Sequence, residues 1–415
     1  AGIGGMVAGQ ACTSCAATAC GGAVDACRNS PSCAPWLSCI SACDSQVCID
    51  ACDLSHTEVA RLYSPVYACL CEQCPGECSV AQSCTKPCVD EAPLLPTSTV
   101  PRSLAETGLF AGSPGAPGTA ALTLAAQVRP FVPKYPLWSD GADKDRYIYI
   151  PKCAAIDTSN MDQWRFPVGT RVWKTFIVPT ALGERKRVET RLLHRYGEAR
   201  EAWLYAAYQW DEGAPNDPGL ALPRPSGVLN ANGTSHDIPS ELECADCHGK
   251  LPARVLGFSA FQLSHSASGD DLNIERISNL GWLTVPAPGG FAVPGSPVQQ
   301  AALGYLHANC GNCHNSNGQS PPGSPMLLRL LVEQTDYAST DVVTSTVGVD
   351  TFSNDAFDNG TARIFPMDPS KSSVLIRMQI RGTELQMPPL VTTSSKVADA
   401  TGGVADVSAW INSLE

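Results

Sequence analysis

Charge is scarce in this chain, and positive charge is the scarcer kind. Only 16% of the 415 residues are charged, and 28 Lys and Arg face 40 Asp and Glu, a net charge of −12. That balance excludes nucleic acid or an anionic membrane surface as the main partner, while leaving room for a docking partner with a basic face. Long apolar runs are missing too. No stretch approaches the roughly 20 residues that cross a bilayer as a helix, so no transmembrane segment is expected. The opening AGIGGMVAGQ has neither the basic start nor the apolar stretch of a signal peptide, so an exported protein would be represented here by its mature chain. There is no Ser/His/Asp set and no Gly-rich phosphate loop on a strand-to-helix turn, which removes the common hydrolase and nucleotide-dependent classes.

Cysteine, by contrast, is abundant and unevenly spread. Of 20 cysteines, 15 lie between Cys12 and Cys88, and the rest are Cys153, Cys244, Cys247, Cys310 and Cys313. Such density belongs to an oxidising compartment and places the protein in the periplasm, on the outer surface or outside the cell. Zinc is the competing reading, because Cys12 and Cys15, or Cys71 and Cys74, have ligand spacing. His56 is the only histidine of the segment, however, and zinc would leave too many cysteines over. Several pairs sit four apart (Cys39/Cys43, Cys48/Cys52, Cys74/Cys78, Cys84/Cys88), which puts both sulfurs on one helix face. Residues 1–90 therefore read as a small helical domain stapled by disulfides, each contributing about 2–4 kcal/mol. Fifteen is odd, so one of these cysteines is expected to pair with Cys153.

The expected fold class is multidomain α+β. Residues 91–136, rich in Pro, Gly, Ser and Ala, read as a linker or a strap over the next domain. From 137 to 296 an antiparallel β domain is expected. RYIYI (146–150), RVWKTF (171–176), RVETRLLH (187–194) and AWLYAAYQW (202–210) carry the period of two, with turn material between them. Residues 297–415 read as helical, with VQQAALGYLHANC (298–310) and GVADVSAWINSL (403–414) as the main helices.

Two C-x-x-C-H motifs carry the chemistry: Cys244-Ala-Asp-Cys247-His248 and Cys310-Gly-Asn-Cys313-His314. Two thiols three apart reach the two vinyl groups on one edge of a haem, and the following imidazole binds the iron. With 20 Cys and 7 His, chance supplies roughly 0.02 such motifs in a chain of this length. The expectation is two covalently bound haem c groups, on Cys244/Cys247 with His248 (haem 1) and on Cys310/Cys313 with His314 (haem 2).

The stretch 297–415 resembles a class I cytochrome c domain. Ala302 and Leu306 precede Cys310 at helical spacing, Trp410 supplies bulk from the closing helix, and Met387-Pro388-Pro389-Leu390 matches the late methionine that the family uses as sixth ligand. Met387 is accordingly the expected distal ligand of haem 2; Met326 comes too early, and Met367 and Met378 read as packing residues. His307, one turn before Cys310, reads as a surface or edge position. For haem 1 no comparable methionine follows, and His265, His236, Met161 or no side chain at all remain open, with His265 taken first.

From about Pro101 to Glu415 the chain also resembles a family of bacterial secreted proteins with paired C-x-x-C-H motifs. The matching stretches include YPLWSDGADKDRYIYIP, FPVGTRVWKTF, ECADCHGK, LGFSAFQL and YLHANCGNCHN. The N-terminal segment is similar to cysteine-rich modules attached to exported bacterial proteins. The strand region is similar to cytochromes c-prime-beta and to the lysine-cross-linked haem cytochromes that oxidise hydroxylamine, which implies an antiparallel sheet around a haem with an apolar distal side. Lys174 is nearest their shared P-x-G-T…K pattern, but reads here as a solvated strand residue. Three functions follow as expectations. The first is electron transfer with a redox partner protein or with other copies of the chain, as a homo-oligomer or polymer. The second is a redox enzyme acting on peroxide, nitric oxide or hydroxylamine at an open haem 1, with haem 2 as relay. The third is a surface-binding module.

Overall fold

The computed structural model describes residues 10–29, the isolated positions 35, 69, 73–74 and 95, and residues 99–415 apart from 112–121, 152–153, 181–182, 288, 319–324, 352–360, 390–395 and 401. The chain forms two compact units. One comprises Ala1–Glu91, Lys152–Ile156 and Gly281–Pro286; the other comprises Ala92–Pro151, Asp157–Leu280 and Ala287–Glu415.

In the first unit, helices α1 (Gln10–Ala19) and α2 (Gly21–Arg28) follow one another with Cys20 between them. Two nested disulfides, Cys15–Cys74 and Cys20–Cys69, tie this helical pair to positions 59 and 49 residues away. The first of them takes one cysteine from each pair that had zinc-ligand spacing, Cys12/Cys15 and Cys71/Cys74. A helical segment this small buries little apolar surface, so cross-links that close long loops supply much of its stability. Cys153 and the four cysteine pairs spaced four apart, save Cys74, lie outside the described residues.

The second unit is built on a six-stranded antiparallel meander, β1 (Arg129–Pro130), β2 (Asp143–Tyr149), β3 (Arg171–Pro179), β4 (Arg185–Arg195), β5 (Trp203–Gln209) and β6 (Leu222–Pro223), in chain order. The four expected strands are all present, because alternation along each segment matches a sheet covered on both faces. On one face Tyr149, Trp173, Leu192, Ala206 and Tyr208 form a core with Leu104 and Leu109 from the segment that precedes the sheet. Trp173 Nε1 donates to Thr107 Oγ1 at 3.0 Å, and Tyr208 OH donates to the Pro101 carbonyl at 3.1 Å, so that segment is both packed and hydrogen-bonded as a strap.

After the sheet come helix α3 (Glu241–His248) and a helical group led by α4 (Pro297–Asn309), α5 (Ser373–Gln379) and α6 (Gly403–Asn412). Helix α4 opens on Ser296 with Pro297 at its first position, and the Gln299 side chain accepts from the Ser296 N–H at 2.7 Å, a capping box. Ala302, Leu303 and Leu306 of α4 pack against Val407, Trp410 and Ile411 of α6, with Leu375 and Met378 of α5 closing the core. Gly403 permits this crossing: a Cβ there would stand 1.9 Å from the Tyr305 ring. Trp410 is buried and donates from Nε1 to Tyr337 OH at 2.7 Å. Among the described residues no helix is long and apolar enough to cross a membrane.

Candidate cofactor-attachment sites

Helix α3 carries the whole first motif. Ser240 caps it, with its N–H donating to Glu243 Oε2 at 2.7 Å and its hydroxyl accepting from the Glu243 N–H. Positions 244, 247 and 248 are three and four apart and share one helix face. That face is turned to the sheet: the His248 ring lies 5.6 Å from the ring of Tyr205 on β5. Beyond the helix the chain folds back so that the Arg254 carbonyl accepts from His248 Nδ1 at 2.6 Å. Arg254 takes a left-handed φ of 57° to do this, a conformation that costs a non-glycine residue of order 1 kcal/mol. The bond fixes Nδ1 as the protonated nitrogen and leaves the Nε2 lone pair as a ligand, the usual outer-shell arrangement behind a metal-binding histidine. Burial, helped by the nearby Lys174 charge, holds His248 down at about 3, so its imidazole is neutral.

The second motif follows α4 directly. Cys310 N–H donates to the Leu306 carbonyl at 2.9 Å and His314 N–H to the Cys310 carbonyl at 2.9 Å, so the helical winding runs on through the motif. Asn312 and Asn315 side chains donate back to the Ala308 and Gly311 carbonyls at 2.7 and 3.0 Å and hold the turn. Glycine is required at 311, where a Cβ would meet the His307 carbonyl at 2.7 Å and the backbone of Leu328 and Arg329 at 2.9 Å. His314 Nδ1 is buried without a hydrogen-bond partner among the described residues. An orphaned buried imidazole nitrogen is costly, and it marks this side chain for a role beyond packing.

The thiols are unbridged in both motifs, in a chain that forms disulfides elsewhere. Burial pushes Cys247 up to about 11 and Cys310 up to about 12, which keeps both as thiols. The two motifs lie within electrostatic reach of each other. The Cys313 sulfur is the second contributor to the upward shift of Cys247, after burial, and Lys250 and Asp246 of the first motif's segment act on Cys313. Among the described residues no three His, Cys, Asp or Glu side chains are grouped to hold a bare metal ion. Two thiols and one imidazole nitrogen per motif are the side chains that a covalently attached haem would use.

The remaining candidate ligands are placed as follows. Met387 follows α5; its N–H donates to the Arg377 carbonyl at 2.9 Å, and Gln386 Nε2 donates to the Pro388 carbonyl at 2.8 Å, so the Met-Pro segment is held by its backbone. Met378 belongs to the helical core, whereas Met367 is 66% exposed and is no packing residue. His265 has each ring nitrogen on a backbone carbonyl, Val132 at 2.8 Å and Ser266 at 3.0 Å. His236 is buried, with Nε2 2.8 Å from Glu189 Oε2, and Met161 sulfur accepts from Trp164 Nε1 at 3.4 Å. His307 is not a surface residue. It is 3% exposed, accepts the Leu330 N–H on Nδ1 at 3.0 Å and packs edge-on against Phe261 at 5.6 Å. The helix face that looked free is covered by residues 328–330 and 261.

Lys174 is not a solvated strand residue either. It is partly buried, and with Arg146, Val172, Leu193, Val255 and Leu256 it walls a cavity shared with His248. Burial and the charges of Arg191, Arg146 and Lys144 hold its ammonium well below the ordinary lysine range. The sequence signal for this group was the i, i+2 repetition of charge inside strands, Lys144 and Arg146 on β2 and Glu189 and Arg191 on β4, which puts them on one sheet face. No family model, curated protein or solved structure matches this chain.

Proposed function

We propose that the protein is an exported dihaem c-type cytochrome whose main task is electron transfer. The observation that carries the reading is the placement of the first motif: Cys244, Cys247 and His248 share one face of helix α3, and both thiols are unbridged. The Cys313 and Cys247 sulfurs lie within electrostatic reach of each other, which would favour electron exchange between haems attached there. Support comes also from the Arg254 carbonyl behind His248, which orients the free nitrogen and makes it a stronger donor to iron. The disulfides at Cys15–Cys74 and Cys20–Cys69 suit an oxidising compartment outside the cytoplasm. In this reading His314 and Met387 ligate haem 2, the thioether favouring the ferrous state, and the cysteine-rich unit docks the protein to a redox partner or to further copies of itself.

A second reading, a redox enzyme with a small-ligand site at haem 1, is favoured by one specific observation. Two basic side chains, Lys174 and Arg146, line the otherwise apolar cavity beside His248, a setting suited to a small polar ligand. Optical spectra of ferric and dithionite-reduced protein, with and without carbon monoxide, separate the two. Two low-spin haems whose reduced spectrum ignores carbon monoxide support electron transfer alone. A high-spin fraction amounting to half of the haem, shifted by carbon monoxide, moves the enzyme reading to the front.

A further inference from the structure

Three basic side chains stand directly opposite one another across three neighbouring strands of the sheet. Arg146 on β2 pairs with Lys174 on β3, and Lys174 pairs with Arg191 on β4. Like charges at directly paired positions destabilise a sheet, so the row calls for compensation from its surroundings. Lys144 adds a fourth cation to the same face one pair further along. Yet the chain as a whole is acidic, with 40 Asp and Glu against 28 Lys and Arg, so this concentration is not a matter of composition.

The neighbours account for only part of it. Glu189 is fully buried and takes Arg191 in two hydrogen bonds, Nε on Oε1 at 2.7 Å and Nη2 on Oε2 at 3.0 Å, while His236 Nε2 shares Oε2 at 2.8 Å. Arg146 Nη1 donates to the Lys144 carbonyl at 3.1 Å, and Lys144 Nζ to the Leu137 carbonyl at 2.6 Å. Lys174 is left over. Its ammonium stands 5.7 Å from the centre of the Phe176 ring, and among the described residues nothing accepts a hydrogen bond from it. Both Lys174 and Arg146 line the cavity they share with His248, whose other walls are apolar.

We propose that the Arg146–Lys174–Arg191 row is a binding site for a small free oxyanion, held on the side of haem 1 that is turned to the sheet. The proposal rests on the reading that Cys244, Cys247 and His248 carry haem 1. An oxyanion supplies the negative charge that Glu189 alone does not, and an apolar, water-poor surround strengthens such charge-assisted hydrogen bonds. The haem's own propionates offer the same chemistry as a free oxyanion, and the experiment separates the two sources.

The test uses the full-length holoprotein with its haem content measured first. Ferric protein is titrated with sodium nitrite, sodium formate and neutral imidazole, following the Soret band. Wild-type protein should bind both anions at half of its haem. Lys174→Met and Arg146→Met should each weaken anion binding about 10- to 100-fold, the loss expected of one charge-assisted hydrogen bond, while imidazole binding stays within threefold. Lys174→Met should also melt no lower than wild type, because it relieves repulsion within the row. Three results overturn the proposal: no anion response in protein carrying two haems, an unchanged anion affinity in both variants, or a shifted haem 1 potential without any change in anion binding, which would make the row a propionate partner. Protein without haem on Cys244 and Cys247 would instead sink the reading beneath it.

Discussion

Replacing Glu189 by Gln removes one charge from the middle of the sheet and almost no volume. Glu189 is 0% exposed, with two hydrogen bonds from Arg191 at 2.7 and 3.0 Å and His236 at 2.8 Å. Breaking a buried pair by removing one partner costs about 3–5 kcal/mol, since the remaining charge stays buried and uncompensated. Here the surviving cation also joins the paired row of Arg146 and Lys174, so the upper half of that range is expected. At about 2–4 °C in Tm per 1 kcal/mol, Glu189→Gln should melt roughly 8–20 °C lower, read by near-ultraviolet circular dichroism of the sheet tryptophans. The double variant Glu189→Gln/Arg191→Met should recover about half or more of the loss. The pH dependence has a definite sign. Burial raises the Glu189 carboxyl, but Arg191 and His236 outweigh it and leave it below the ordinary value. A depressed carboxylate stabilises the fold above its unfolded pKa of about 4.3 and loses that contribution as pH falls through the folded value. Wild type should therefore lose stability on acidification below about pH 4 more steeply than Glu189→Gln. A Tm drop under about 2 °C, or identical acid limbs, would refute the electrostatic account of this face.

Other expectations are more local. Gly403→Ala should destabilise the α4–α6 crossing by about 1–3 kcal/mol in denaturant unfolding, because its Cβ meets the Tyr305 ring. His307→Leu should cost about 1–3 kcal/mol by leaving the buried Leu330 N–H without an acceptor, and His307→Gln should restore part of it. The paired substitution Cys15→Ser/Cys74→Ser should lower the stability of the N-terminal unit by about 2–5 kcal/mol, measured as faster proteolysis there, with the haem spectrum unchanged.

How much of this was legible beforehand depended on whether the signal was local. The strands announced themselves because RYIYI, RVWKTF, RVETRLLH and AWLYAAYQW keep the period of two, and the core helices because α4 and α6 keep a helical stripe ending in Leu306 and Trp410. The motif residues were readable from spacing alone. Pairing was not. Arg146, Lys174 and Arg191 lie on three strands, and only the register makes them neighbours; the charge repeat within β2 or within β4 does not show which residues of the next strand it faces. His307 misled for the same reason, since what covers it comes from residues 20 and more away. The disulfide partners of Cys15 and Cys20 are likewise set by which helices meet, and the cysteine spacing leaves that open.

The central claim is that both C-x-x-C-H motifs carry haem, and covalent haem stoichiometry tests it most directly. The protein would be expressed in a host that matures c-type cytochromes, then measured by intact mass and by its pyridine haemochrome after acid–acetone extraction. Two haems per chain should remain bound, falling to one in Cys244→Ala/Cys247→Ala and to one in Cys310→Ala/Cys313→Ala. A chain whose haem is extracted by acid–acetone, or one that keeps four free thiols at these positions, would contradict it.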